Sequence, residues 1–517
     1  MTPWQWRTDV PAVPGAPAVP EAVAGGRSSG LPGSRECPIL RRGSMRRMLT
    51  QRRVRLRLWT TAGIVGIALA GGAPACQGPP EADRAATARA GAAGSAGRSG
   101  AGDGGGSDGS AGLPFASGAA GGSAGQGASA GQGGAPDSGD DCSPEGQNQY
   151  VYALMKSYYL WFDHTPTYSP EEIEAFESPQ ALLNAMRYAE LDRWSSMSPL
   201  VERTVFYEEG QYVNFGWFLL WDGAGRLRIA FRDHGSSVAQ AGLERGAEVV
   251  AINGEPLAQI LDDGRWDSVW GPNEEGYALT FEVVDAGGGM REVTLEKSLV
   301  QMTTVHHTEV LETSFGTVGY LLFNRFLGIS EAELRTAFEG FRGAGVDELV
   351  LDLRYNPGGL NGVARTLGSL VASPNVVGER FLLQDYNEQY PELDHELLFQ
   401  DELSALGLSR LAIITSLNTA SASELVINGL SPFVDVALVG ERTYGKPVGA
   451  DTWSHCDWAI TPITHTSRNA DEAGNFYGGF APDCPIPDDF DHALGDPEEA
   501  RLSAALYWLE HEACPPE

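Results

Sequence analysis

Apolar positions along this chain follow three different rhythms. From Tyr150 to Phe162 they recur at Val151, Leu154, Met155, Tyr158, Tyr159 and Phe162, the spacing of one helix face. A second run, Ser178 to Glu190, carries Leu182, Leu183, Met186 and Ala189, with Ser178 placed to cap it. These runs predict a small helical cap over residues 142–200 whose stripe, aromatics included, serves packing. Over about 201–300 the rhythm shortens to that of strands. Leu227–Phe231 and Glu248–Ile252 read as strands, and Asn253-Gly254-Glu255 reads as a turn. From Gly316 onward strands and helices alternate. Strands are expected at Val318–Phe323, Glu348–Leu353, Leu411–Thr415 and Val436–Gly440, and helices at Glu331–Phe341, Asn361–Val371 and Ala422–Leu430. That alternation predicts a layered α/β core over 301–517, within a chain that is mixed α+β overall.

Upstream of residue 142 the pattern fails. Residues 77–141 are almost all Gly, Ala and Ser, too poor in apolar surface to offset chain entropy, and read as a flexible tether. Residues 1–76 read as an export signal. Arg52, Arg53, Arg55 and Arg57 precede an apolar stretch from Leu58 to Leu69, followed by small residues and Cys76. Ala73-Pro74-Ala75-Cys76 resembles a bacterial lipobox, which implies lipidation of Cys76 and a membrane anchor; plain secretion is the alternative. Met45 or Met48 would put the arginines at the front, so residues 1–44 are expected to be an artefact of the assigned start. The expected location is extracytoplasmic: a cell-envelope lipoprotein of the outer membrane or periplasmic face.

Composition narrows the function. Against 36 basic residues stand 68 acidic ones, a formal charge of −32, which argues against nucleic acid as a partner. With Cys37 and Cys76 set aside, Cys142, Cys456, Cys484 and Cys514 allow three pairings. In an oxidising compartment the expected pairs are Cys456–Cys484 and Cys142–Cys514, with free buried thiols as the alternative. Cysteine and histidine spacings hold no zinc pattern, and neither metal nor cofactor is expected.

The candidate chemistry lies in three segments. Ser421 sits in Thr419-Ala420-Ser421-Ala422-Ser423-Glu424, Lys446 follows in Thr443-Tyr444-Gly445-Lys446, and Asp352-Leu353-Arg354-Tyr355-Asn356-Pro357-Gly358-Gly359 lies upstream. A hydroxyl, an amine and a flexible backbone loop are what a serine hydrolase needs when it lacks a catalytic histidine. Each has a bland reading too: Ser421 to Glu424 has the form of a helix capping box, Lys446 of a solvated loop lysine, Asn356 to Gly359 of an ordinary turn. Gly440-x4-Gly445-Lys446 approaches a phosphate-binding loop, but Pro447 replaces the magnesium-ligating Ser or Thr, so no nucleotide is expected.

Two resemblances sharpen this. Residues 236–254, with Gly242-Leu243-Glu244-Arg245-Gly246 and the Asn-Gly turn, resemble a PDZ domain over 201–300. The implied carboxylate-binding loop is a weak match at Phe215, Gly216 and Trp217. Together with the Asp-Leu-Arg-x-Asn-Pro-Gly-Gly turn, Thr-Ala-Ser-Ala-Ser-Glu and Thr-x-Gly-Lys, residues 150–510 resemble the C-terminal processing peptidases of family S41. The resemblance implies a crotonase/ClpP-like catalytic core, Ser421 as nucleophile and Lys446 as its base. It gives Glu424 and Thr443 supporting roles, and assigns the oxyanion hole to Ala422 with Gly358 or Gly359. Thr419 stands where the family has its first serine. Ala450 stands where many members carry a glutamine that orients the lysine.

The expected function is therefore a serine endopeptidase cutting proteins or peptides near their C-termini through an acyl-enzyme. The alternatives are a non-catalytic peptide- or ligand-binding protein on the same scaffold, and an esterase using the same pair. The segment His455 to Cys484 reads as an inserted loop able to cover the site, with His455 and His465 as polar loop residues.

Overall fold

Six strands form the sheet on which the candidate residues are mounted. In spatial order they are Val305–Thr313, Gly316–Phe323, Glu348–Asp352, Arg410–Thr415, Asp435–Gly440 and Cys484–Pro485. The first pair is antiparallel and the rest are parallel. This is a computed structural model of the chain, and it describes residues 141–516. The export signal, Cys76 and nearly all of the tether lie outside the described residues.

A sheet buried on both faces needs apolar residues on both, and the sequence supplies them in alternation. Leu321, Phe323, Leu349 and Leu351 pack toward the helices Ser330–Ala344, Asn361–Ala372 and Ala422–Leu430. Val318, Tyr320, Leu322, Val350, Ile414 and Val439 face the opposite way, toward the helix Ala500–His511. The expected core strands and helices form within a few residues of their anticipated ends, giving a layered α/β core in a mixed α+β chain. Helix Ala500–His511 was not anticipated.

The N-terminal helices form at Pro144–Ser157 and Pro179–Met186. The first begins earlier than its apolar stripe because Ser143 Oγ accepts the Gly146 N–H at 3.1 Å and Pro144 opens the helix. It ends at Ser157, so Tyr159 and Phe162 lie beyond it. Ser178 caps the second, accepting from Ala181 at 3.2 Å. Their apolar faces pack on Val448, Ile460 and Ile463, within the strands that follow Lys446.

Those strands correct the expectation of a loop from His455 to Cys484. Trp458–Thr461 and Ile463–Arg468 are strands, the second central in the four-stranded order His395–Leu398, Arg380–Tyr386, Ile463–Arg468, Val448–Ala450. β-Branched residues at 460, 461, 463, 464 and 466 explain the preference. His455 ends a strand and stacks on Tyr150 at 4.0 Å. His465 is buried, meets Gln384 at 2.6 Å, and has its pKa drawn down to about 4 by that burial. Neither histidine is a loop residue.

A separate sheet, Trp217–Trp221, Leu227–Arg232, Glu248–Ile252, Ala278–Val284 and Met290–Glu296, closes over its own core of Phe215, Ile229, Val249, Ile260 and Phe281. It meets the six-stranded half at Tyr355, whose ring lies 5.6 Å from Phe218 and 5.8 Å from Phe231.

Both expected disulfides are re-paired. Cys142 joins Cys456 and Cys484 joins Cys514. The first helix docks beside the Trp453–His455 strand, bringing Cys142 to Cys456. Cys484 lies in the last strand of the main sheet, whose outer face the C-terminal helix covers, and Cys514 follows that helix.

Charge is buried where these parts meet. Arg354, fully buried, pairs with Asp352 at 2.9 Å, Asp488 at 3.0 Å and Glu499 at 2.7 Å. Asp488 also takes Arg245 of the smaller sheet at 2.9 Å, and Tyr320 donates to Asp352 at 2.8 Å. The arginines around Asp488 hold its carboxyl well below the usual carboxylate range. Removing the central cation would strand buried carboxylates, which costs about 3–5 kcal/mol. Arg354→Ala is accordingly expected to lose at least that much in urea unfolding or to fail to accumulate as folded protein; a native-like unfolding midpoint would contradict this assignment.

Candidate active site

Strand Arg410–Thr415 runs into a tight turn, and helix Ala422–Leu430 begins immediately after Ser421. Ser421 bridges them at φ 55°, ψ −119°, a left-handed conformation that costs a non-glycine residue on the order of 1–3 kcal/mol. Such a strand-to-helix elbow presents a hydroxyl at the mouth of the helix, beside free amides and the positive end of the helix dipole. The turn is fastened at several points. Thr419 Oγ1 donates to the Leu353 carbonyl at 2.8 Å, and the Asn356 carbonyl accepts from Ala420 N at 3.1 Å and Ser423 Oγ at 2.8 Å. Ser421 itself remains partly exposed.

The Asn-Pro-Gly-Gly turn packs against this elbow. A Cβ on Gly358 would sit 2.8 Å from both Ala422 N and Ser421 Cβ, and one on Gly359 would strike the Phe326 carbonyl at 2.0 Å. With φ of 99° and 149°, both positions require glycine. The two glycines, open alternatives in the sequence, differ here. The Gly358 amide donates to Asn356 Oδ1 at 2.9 Å, so it is already engaged. The neighbouring Gly359 amide makes no hydrogen bond among the described residues, and Ala422 is the first residue of its helix, where amides lack intrahelical acceptors. The amides left without a partner beside Ser421, among the described residues, are thus those of Gly359 and Ala422.

Glu424 joins the serine to the lysine. Its fully buried carboxylate accepts four bonds: Ser421 N at 3.0 Å and Lys446 N at 2.8 Å on Oε2, Thr443 Oγ1 at 2.6 Å and Gly445 N at 2.7 Å on Oε1. Two amides sharing one oxygen hold their backbones within about 6 Å of one another. Burial pushes the Glu424 carboxyl up, and the donated bonds oppose that by favouring the charged form. The capping-box reading is thus half of the truth, because the same carboxylate that caps the Ser421 helix also secures the lysine loop. The phosphate-loop alternative fails on the same contacts: the Gly445 and Lys446 amides are spent on Glu424, and strand Val448–Ala450 follows.

The Lys446 side chain is packed beside Trp194, which lies 5.9 Å from Nζ, while part of its surface stays open. Burial draws its pKa down to about 8; Asp192 and Glu424 oppose the shift and Arg203 adds to it. No hydrogen bond joins Ser421 Oγ to Lys446 Nζ among the described residues; Glu424 alone bridges their two segments.

The expected carboxylate loop fares less well. The Phe215 ring is buried in the core, its amide donates to the Asn214 side chain at 2.7 Å, and Gly216 is buried against Ser236. Of the three, only Trp217 keeps exposed surface, on an edge strand. Sequence reasoning missed Asp192 and Trp194. Their signal was the Asp192-Arg193-Trp194-Ser195 knuckle, whose aspartate accepts from the amides of Trp194 at 2.8 Å and Ser195 at 2.9 Å.

A strained strand-to-helix elbow on a mostly parallel sheet, braced against a glycine turn and tied to a half-buried lysine, defines the class of the fold as a layered α/β scaffold. Residues 317–485 match the model of peptidase family S41, and residues 146–196 match that of the peptidase S41 N-terminal domain. Over these matched segments the chain carries the sequence pattern of peptidase family S41. It is similar to the carboxyl-terminal-processing protease of Synechocystis, 27% identical over 235 residues that cover 44% of this chain and 52% of that one. It is also similar to the carboxy-terminal processing protease CtpA of Bacillus subtilis, 23% identical over 240 residues, covering 46% and 48%. The chain thus spans about half the length of these relatives. A crystal structure of a candidate S41 protease from Bacteroides fragilis, 23% identical, superposes with a TM-score of 0.57 over 70% of this chain and 97% of that one, so the fold is shared.

Glu424→Gln tests the clamp. A carboxamide cannot accept on both ends, so at least one buried pair of donors would face its NH2 group. Each buried donor left unpaired costs about 1–3 kcal/mol. Urea unfolding of the variant is expected to show a loss of about 3 kcal/mol or more; an unchanged midpoint would mean that the four bonds do not hold the site together.

Proposed function

We propose that this protein is a serine endopeptidase of the C-terminal processing type, acting through Ser421 and Lys446. One observation carries the reading: a single buried carboxylate fastens the nucleophile's elbow and the lysine's loop, while burial lowers the amine toward neutrality. An amine at the ordinary lysine value of about 10.4 is protonated at neutral pH and cannot serve as a base. One brought down to about 8 is partly neutral and can accept the Ser421 proton.

The sequence of steps follows from the placement. Ser421 Oγ attacks the scissile carbonyl carbon as its proton passes to Lys446 Nζ. The carbonyl π electrons move onto oxygen, where the Gly359 and Ala422 amides receive the charge. Collapse of this intermediate breaks the C–N bond, and the leaving amine takes the proton from Nζ. A water then repeats the attack on the acyl-enzyme with Lys446 again as base, freeing Ser421. Each oxyanion donor is worth about 10²–10³ in rate.

The sheet over 217–296 is read as a PDZ-like domain that engages substrate or holds the catalytic half in register. Its partly blocked carboxylate loop favours the second of these roles. Two disulfides in the described region support an oxidising compartment, in agreement with export and an envelope anchor through Cys76.

Unfolded casein, a substrate without demanding structure, provides the assay. Ser421→Ala and Lys446→Ala are each expected to lower its cleavage by at least ~10³ while leaving thermal unfolding intact. Because burial favours the neutral amine and only that form accepts a proton, kcat should rise with pH through a midpoint near 8. Residual turnover by purified Ser421→Ala, or a limb far below that midpoint, would refute the pair.

A further inference from the structure

Ala450, four residues after Lys446, offers its methyl group and nothing that could orient an amine. What stands over Nζ is the ring of Trp194, from a segment some 250 residues earlier in the chain, with the centroid 5.9 Å away. That ring is held firmly. Asp192 Oδ1 accepts the Trp194 and Ser195 amides, and its Oδ2 accepts Tyr159 Oη–H at 2.8 Å. Tyr159 in turn accepts the Tyr188 amide at 2.9 Å. On the other side Ser195 Oγ accepts the Ile463 amide at 2.9 Å, and the next strand, Ser196–Pro199, pairs with Trp458–Thr461. The knuckle is therefore pinned both to the N-terminal helices and to the strands beside the lysine.

Around the ring stand Tyr444 at 6.5 Å and Tyr477 at 6.4 Å, and Arg193 covers Trp194 at 5.0 Å and Tyr444 at 4.6 Å. The Trp194 Nε1–H is buried and finds no partner among the described residues, so no hydrogen bond of its own sets the orientation of the ring. Its π face is what it presents to its surroundings.

Resting on the Ser421–Lys446 reading, we propose that Trp194, supplied by the N-terminal segment, is the positioning residue for Lys446, its indole face holding the ammonium formed when Nζ takes the Ser421 proton. A cation gains from an indole face, whereas the neutral amine does not, so the contact strengthens as charge develops. The same contact keeps the amine from swinging out through the open side of the site. The other groups acting on Nζ are Asp192 and Glu424, which favour the ammonium, and Arg203, which disfavours it. Buried His465, lowered to about 4, stays neutral across the working range.

A fluorophosphonate reports on this without a known substrate, because its reaction with Ser421 needs the same proton transfer. The labelling rate of the full chain would be followed against pH for the native protein, Trp194→Leu, Trp194→Phe, Lys446→Ala and Ser421→Ala. Removing the ring removes support for the charged form, so the Lys446 pKa falls and the acidic limb moves to lower pH. For Trp194→Leu the expected displacement is about half a unit to one unit downward, with the plateau rate reduced roughly three- to thirtyfold. Trp194→Phe retains a ring face and should stay within about threefold of the native plateau. Should the Leu variant not fold, Trp194→Met, flexible and ringless, replaces it with the same expectation. A folded ringless variant with native plateau and limb overturns the inference, and so does a Phe variant as impaired as the ringless one, which would locate the effect in packing volume. Rapid labelling of Lys446→Ala would instead overturn the pair itself, whatever Trp194 does.

Discussion

Everything at this site depends on the Glu424 carboxylate. The serine needs a left-handed elbow, which is strained; the lysine needs a loop that leaves its amine out of water, which is also costly. Neither conformation is one its residues would choose alone. Four donors converging on one buried acceptor pair couple the two, so each strained segment is held by the other. The carboxylate is therefore a structural counterpart to the proposed Ser421–Lys446 pair. It stabilises the geometry from below, and its charge opposes part of the downward shift that burial imposes on Lys446.

Around that clamp the fold converges from every part of the described chain. The main sheet delivers Ser421 and the glycine turn at the carboxyl ends of neighbouring parallel strands, where such sheets generally place ligands. The N-terminal helices pack on the strands after Lys446 and carry Asp192 and Trp194 to it. From below, the buried Arg354 cluster ties the start of the glycine turn to the C-terminal segment, and Tyr355 and Arg245 extend that tie to the smaller sheet. Tyr355 immediately precedes Asn356, whose side chain bridges the Phe323 carbonyl and the Gly358 amide. A shift of the smaller sheet would therefore be felt at the turn that presents the Gly359 amide.

What was legible in the sequence was local. Helix Ala422–Leu430 follows from its own apolar residues and the Glu at its third position, and the parallel strands follow from dense runs of Val, Ile and Leu. Ser421 and Lys446 were readable because their motifs are short and contiguous. The rest depends on chain segments meeting far along the sequence. Which cysteines pair was decided by where the first and last helices dock, which no spacing encodes. Gly358 and Gly359 looked equivalent until Asn356 Oδ1 took one amide and left the other. The segment from 455 to 484 reads as an insertion by itself, yet its residues 458–461 and 463–468 pair with strands from residues 196–199, 380–386 and 448–455, most of which lie far away in the sequence. The Asp192–Ser195 knuckle marks a local turn but not the neighbour of Trp194, a lysine some 250 residues away.

The most direct test of this arrangement is a crystal structure of the protein after reaction with a fluorophosphonate. The account predicts a phosphorus–oxygen bond to Ser421, the phosphoryl oxygen within hydrogen-bond reach of the Gly359 and Ala422 amides, and Lys446 Nζ at about 3 Å from the serine oxygen. An adduct on a different side chain, or an amine turned away from Ser421 with Glu424 released from either loop, would contradict it.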